Sequence, residues 1–208
     1  NLPEIQSLYQ KTALNQLIIG SLLFLFLWCN ADAIFAIIPN GESFKTGKIV
    51  ILYLGIAKVI DMACGINYEI LAFSKHYRTS AFLNLGITAA SLFINYYSIL
   101  WFGFVGASIG TIFIVILFNI VRGGFLWQKM GLQPFHKNAF FVLILAAFIA
   151  IIEHFCPHFT NTRLSAFLDA CTHCALIGGF YLIILLKFNL SDDISNSFQK
   201  NWKQFRAK

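Results

Sequence analysis

Forty-three consecutive residues, Thr79 to Val121, carry no charge. As one α-helix at 1.5 Å per residue this run would reach about 65 Å, twice the roughly 30 Å hydrocarbon thickness of a bilayer. It must therefore fold back, and Asn95-Tyr96-Tyr97 through Trp101-Phe102-Gly103 is the expected turn. The rest of the chain has the same character: 58% of its residues are apolar and 12% charged, against about 25% charged in soluble domains. One soluble core could not hide that much apolar surface, so the chain asks for a membrane.

Four more apolar runs are long enough to cross one. Thr12–Ala31 has no charge, and Ile49–Phe73 is apolar except for Lys58, Asp61 and Glu69; Asn138–Phe155 and Ala170–Leu186 are nearer the short limit. β-Strands are disfavoured, because a transmembrane barrel shows alternating segments of roughly ten residues rather than continuous apolar runs. The expected fold is all-α: a polytopic transmembrane helix bundle over 1–190 with about six spans, near 12–31, 49–73, 79–97, 103–122, 138–155 and 170–187, and then a cytoplasmic tail, 191–208.

Lysine and arginine orient it. With the N-terminal segment inside, eleven basic residues collect on the inner side, from Lys11, Lys75, Arg78, Arg122, Lys129 and Lys137 through Lys187 to the tail. Three collect outside: Lys45, Lys48 and Arg163. In the tail, Ile194, Phe198, Trp202 and Phe205 recur at helical spacing among basic residues. That suits an amphipathic helix on the anionic inner leaflet; a frayed polar tail is the other reading.

Although the net charge is +6, the basic residues lie in short loops and the tail. No basic patch interleaved with exposed aromatics suggests nucleic acid. No Walker, H-E-x-x-H or Rossmann sequence is present, so neither a cofactor nor catalysis is expected. The chain begins without Met inside a polar stretch, as the C-terminal part of a longer transporter would.

The strongest functional signal is the second run. On one continuous helix, Lys58, Asp61, Gly65 and Glu69 fall within about 80° of one another. Charges at membrane depth normally face protein or a water-filled cavity. They would line a transport path, with a carboxylate for proton or Na⁺ coupling and Lys58 for an anionic headgroup. In the blander alternative, Lys58 and Asp61 neutralise each other at i, i+3 and Glu69 reaches interfacial water. Gly86, Gly103, Gly106 and Gly110, with Ala89, Ala90 and Ala107, mark close helix packing. Asn84, Asn95 and Asn119 offer polar contacts to a neighbouring helix or a substrate. Cys156, Cys171 and Cys174, with His154, His158 and His173, should gather near the outer face. A disulfide or a metal is conceivable there, but the spacing is not that of a zinc motif.

The order of several short motifs resembles the C-terminal half of polysaccharide-biosynthesis flippases, of the multidrug/oligosaccharidyl-lipid/polysaccharide exporter superfamily. The residues carrying it are Leu8-Tyr9-Gln10-Lys11-Thr12-Ala13-Leu14-Asn15 before the first span, and Asn30, Asp32, Ile34 and Pro39 after it. Gly55-Ile56-Ala57-Lys58-Val59-Ile60-Asp61-Met62 and Gly65-Ile66-Asn67 follow, then Asn95-Tyr96 and Gly103-Phe104-Val105-Gly106-Ala107-Ser108 around the turn. Trp127-Gln128-Lys129-Met130-Gly131-Leu132-Gln133-Pro134-Phe135 resembles the family's next inner loop. The turn departs from the pattern, with Ser98-Ile99-Leu100-Trp101 where the family often has a proline.

The resemblance covers most of residues 5–137. It implies 12–14 helices in two lobes around a central cavity of alternating access, in a bacterial inner membrane. The implied substrate is an undecaprenyl-diphosphate-linked oligosaccharide, flipped to the outer leaflet for O-antigen, capsule or exopolysaccharide assembly. The implied partners are membrane lipids, the N-terminal half of the same transporter, and the pathway's polymerase and glycosyltransferases. A cation-coupled drug antiporter of the superfamily is the alternative. A membrane-embedded polymerase or acyltransferase ranks third, because the outer loops are short and nearly free of arginine.

Overall fold

A computed structural model describes residues 2–156 and 162–191. The expected amphipathic stretch at 191–208 lies almost wholly outside them. Every regular element among the described residues is helical. In chain order these are α1 (Leu2–Cys29), α2 (Ala31–Ile37), a 3₁₀ turn (Gly41–Phe44), α3 (Gly47–Ala63), α4 (Asn67–Ala72), α5 (Tyr77–Met130), α6 (Lys137–His154) and α7 (Arg163–Lys187). Three of them, α1, α5 and α7, are long and apolar enough to cross a membrane.

The uncharged run does fold back. Its reversal is made at Gly103, whose backbone (φ 59°, ψ −140°) is non-helical inside α5. That is a conformation essentially reserved for glycine. The two arms, 77–102 and 104–130, then lie antiparallel. A methyl at Gly106 would collide with the Ser98 carbonyl, and one at Gly110 would meet Asn95. Farther from the turn, Arg122 bonds Asn84 and the rings of His76 and Phe125 stand 5.6 Å apart. The aromatic segment before the turn stays helical to Phe102, so the connection needs one glycine rather than a loop.

The second apolar run differs from the single rod expected over 49–73. It ends as α3 at Ala63 and resumes as α4 at Asn67. Gly65 sits between them at φ +60°, the left-handed conformation in which helices commonly stop. It lies against α1, where an added methyl would strike Ala13. Close packing of α1 on α3 recurs where a methyl at Gly20 would meet Met62 and one at Gly55 would meet the Phe24 ring.

α1 is the central rod, packed on α3, α6 and α7, while α3 and α4 lean on α5. The main core joins Leu14, Leu17 and Leu25 of α1 to Val142 and Ile149 of α6 and to Ile177 and Tyr181 of α7. A smaller core joins Tyr9, Leu71, Leu126 and Leu132. Outward faces carry large apolar side chains such as Phe82, Leu92, Phe140 and Ile183, as lipid-facing surfaces do.

The Tyr181 hydroxyl carries the polar contact across the main core: it lies 2.7 Å from Ser21 Oγ, both buried, and 3.2 Å from the Ile18 carbonyl. A buried hydrogen bond of this kind contributes about 1 kcal/mol net. Tyr181→Phe is therefore expected to lower stability by about that amount, with the fold intact. Unfolding midpoints in one detergent would measure it, and an unchanged midpoint would show that the bond contributes nothing.

Candidate functional site

The break between α3 and α4 opens a polar cavity of about 420 Å³ against α1 and α5. Its lining includes Gln16 of α1, Asp61 and Gly65 at the break, Asn67 and Glu69 of α4, and Arg122 of α5. Gly65, where the backbone is non-helical, lines this cavity.

Asp61 and the two asparagines form one connected network. Asn119 Nδ2 donates to Asp61 Oδ1 at 3.3 Å and to the Val115 carbonyl at 3.0 Å. Asn67 Nδ2 donates to Asn119 Oδ1 at 2.7 Å. Asn119 therefore ties the second arm of α5 to both sides of the helix break. Asp61 Oδ2 lies 3.5 Å from Lys58 Nζ, an i, i+3 pair whose lysine side chain is 72% exposed. Lys58 is not among the cavity-lining residues, whereas Asp61 and Glu69 are. Because the helix breaks between them, the three charges do not share one continuous helical face.

Arg122 is the charge that sequence reasoning placed elsewhere, in an inner loop. It lies well inside α5, one turn past Asn119. Its Nη2 and Nε donate to Asn84 Oδ1 at 2.6 and 3.2 Å. Its guanidinium stands 4.4 Å from the centre of the Phe118 ring and 5.1 Å from that of Tyr68. Among the described residues no carboxylate lies within 4 Å of it as an ion pair. A planar cation held by a neutral amide and two aromatic faces has N–H donors left for an anion, and Asp61 and Glu69 of the same cavity lie within its electrostatic reach. No sequence pattern could have found this; only the packing of the two α5 arms brings Asn84 to Arg122.

A second cavity of about 410 Å³ shares Asn67 with the first; Asn119 lines it too, and it is otherwise mainly apolar, with Ile60, Ile116, Ile120, Trp127 and Phe135 among its walls. Asn67, bonded to Asn119, thus stands between a charged compartment and a greasy one.

The four packing glycines sit differently. Gly103 makes the turn, and Gly106 and Gly110 lie where the arms of α5 touch. A methyl at Gly86 would meet nothing within 4 Å. Residues 106–110, Gly-Ala-Ser-Ile-Gly, also match the spacing of a serine-nucleophile elbow. That motif needs a strand-to-helix turn, but here Ser108 is buried in a helix and donates to the Val105 carbonyl at 2.7 Å.

A second cluster was not foreseen. Glu153 of α6 meets Asp169 and His173 of α7, all three buried. No run or motif signals it, because the partners lie on different helices or a full turn apart. All five cysteines are free thiols, and among the described residues no group of three or more His, Cys, Asp or Glu side chains is arranged to hold a metal ion. No family model matches the chain, and comparison with curated proteins and with solved structures finds no match.

Proposed function

We propose that this chain is the C-terminal half of a flippase that moves an undecaprenyl-diphosphate-linked oligosaccharide across a bacterial inner membrane for surface-polysaccharide assembly. The observation that carries the reading is Arg122, a cation in no ion pair within 4 Å among the described residues, held by Asn84 in a polar cavity at a helix break that Asp61 and Glu69 also line. A diphosphate is the kind of anion that a guanidinium fork holds best. The neighbouring apolar cavity supports an amphiphilic substrate over a wholly polar one. Broken helices lining a mid-membrane site are a recurring feature of secondary transporters.

In this reading the spans number six: α1, α3 with α4, the two arms of α5, α6 and α7. Both termini are cytoplasmic, the N-terminal half of the transporter completes the cavity, and the polymerase and glycosyltransferases of the pathway work alongside. Asp61 and Glu69 keep a second reading in play, a cation-coupled antiporter, because carboxylates in the same cavity could carry the coupling ion.

The two separate cleanly by substrate and energy source. A flippase requires a lipid diphosphate and tolerates collapse of the ion gradient; drug efflux abolished by that collapse would favour the antiporter. The topology has its own test. In intact cells, Lys45→Cys is expected to react with a membrane-impermeant thiol reagent, and Lys75→Cys and Lys129→Cys only after permeabilisation, on a background without native cysteines. Labelling of Lys75→Cys from outside would overturn the span order.

A further inference from the structure

Gly123 and Gly124 lie in the second arm of α5, between Arg122 and the helix end at Met130. Glycine inside a helix costs stability relative to alanine, so its presence there asks for a compensating reason. Gly106 and Gly110 have one in the contact between the two arms. Gly123 and Gly124 do not: a methyl on either would meet no atom within 4 Å. Both instead line the mainly apolar cavity of about 410 Å³.

That cavity follows one face of α5. Ile116, Asn119, Ile120, Gly123, Gly124 and Trp127 line it at the three- and four-residue spacing of a helical stripe. Ile60 of α3 and Phe135, past the end of α5, add to its walls. Among these larger side chains the paired glycines leave the α5 wall recessed to the backbone. Trp127 and Phe135 are themselves largely exposed, so the cavity reaches the surface of the bundle.

Its neighbour along the chain indicates what fits. Arg122 lines the polar cavity and Gly123, the next residue, lines the apolar one, while Asn67 lines both. Consecutive positions of a helix project about 100° apart, so one turn of α5 serves both compartments. A cation with N–H donors to spare and a recessed apolar wall thus stand side by side. The pairing suits a ligand whose anionic head is joined directly to a hydrocarbon tail.

We infer that the apolar cavity holds the isoprene units nearest the diphosphate of the lipid carrier, with Gly123 and Gly124 making room for them. The inference rests on the reading that Arg122 holds the diphosphate, and adds a tail site to it.

The test measures binding to the full-length protein in nanodiscs of zwitterionic lipid, with inorganic pyrophosphate and farnesyl diphosphate as probes. Farnesyl diphosphate should bind the wild type more tightly than pyrophosphate, by roughly fourfold for each methylene the cavity buries. Gly123→Leu and Gly124→Leu fill the recess and should erase most of that gain while leaving pyrophosphate affinity unchanged. Gly123→Ala and Gly124→Ala meet no atom within 4 Å. They should reduce the gain in part and raise the unfolding midpoint, since alanine favours helix, and they carry the test if the leucine variants do not fold. Partition of the tail into the bilayer is the same for every variant, so a gain that survives all these substitutions would overturn the inference. So would wild-type protein that binds pyrophosphate but gains nothing from the tail, and in both cases the flippase reading stands. Loss of a co-purifying phospholipid from the leucine variants, with the gain intact, would give the cavity to an ordinary membrane lipid and overturn the inference too. Wild-type protein that binds neither probe would bring down the diphosphate reading along with the tail site.

Discussion

Replacing Arg122 with Gln in the full-length protein is expected to strip surface polysaccharide from the cell while the transporter persists in the membrane. The guanidinium is already placed by Asn84 and stacked near Phe118 and Tyr68, so little ordering is needed to engage a diphosphate. A hydrogen bond to a charged group contributes about 2 kcal/mol, which corresponds to roughly a thirtyfold loss per interaction removed. Arg122→Lys keeps the charge but loses the fork, and should fall between the two. Asp61→Asn and Glu69→Gln should also reduce polysaccharide without reducing protein level. Normal polysaccharide in Arg122→Gln would remove the cavity from the mechanism.

The second large effect is structural. Gly106→Ala drives a methyl into the Ser98 carbonyl, which is backbone and cannot swing away. Overpacking of this kind costs about 1–3 kcal/mol. Gly103→Ala forces a side chain onto a backbone at φ 59°, ψ −140°, again at about 1–3 kcal/mol. Gly86→Ala meets no atom within 4 Å and should be neutral or stabilising by up to about 1 kcal/mol, since alanine favours helix. Unfolding midpoints of the three variants in one detergent check the order. Equal midpoints for Gly86→Ala and Gly106→Ala would mean that the arms of α5 do not touch as described.

What could be read from the sequence follows from which forces are local. The all-helical character was legible, because long apolar runs leave few alternatives. So was the reversal within Thr79–Val121: simple length forbade a single rod, and the break falls at the last residue of the expected turn. The interruption at Gly65 was not. A lone glycine in an apolar run reads as a packing residue, and its left-handed backbone appears only where the helix end closes on Ala13 of α1. Consequently Lys58, Asp61 and Glu69 were placed on one face that the break dissolves. Arg122 was counted as a loop charge because it ends an uncharged run; its bond to Asn84, 38 residues earlier, is tertiary. Glu153, Asp169 and His173 escaped for the same reason, since their meeting depends on how α6 and α7 pack.

Flipping measured directly in proteoliposomes decides the central claim. The full-length protein, reconstituted with an undecaprenyl-diphosphate-linked oligosaccharide in one leaflet, should bring the sugar to the opposite leaflet, where a lectin or glycosidase can reach it. Arg122→Gln vesicles should lag far behind. Sugar that stays on its original leaflet with wild-type protein, or crosses equally fast with Arg122→Gln, would contradict the account.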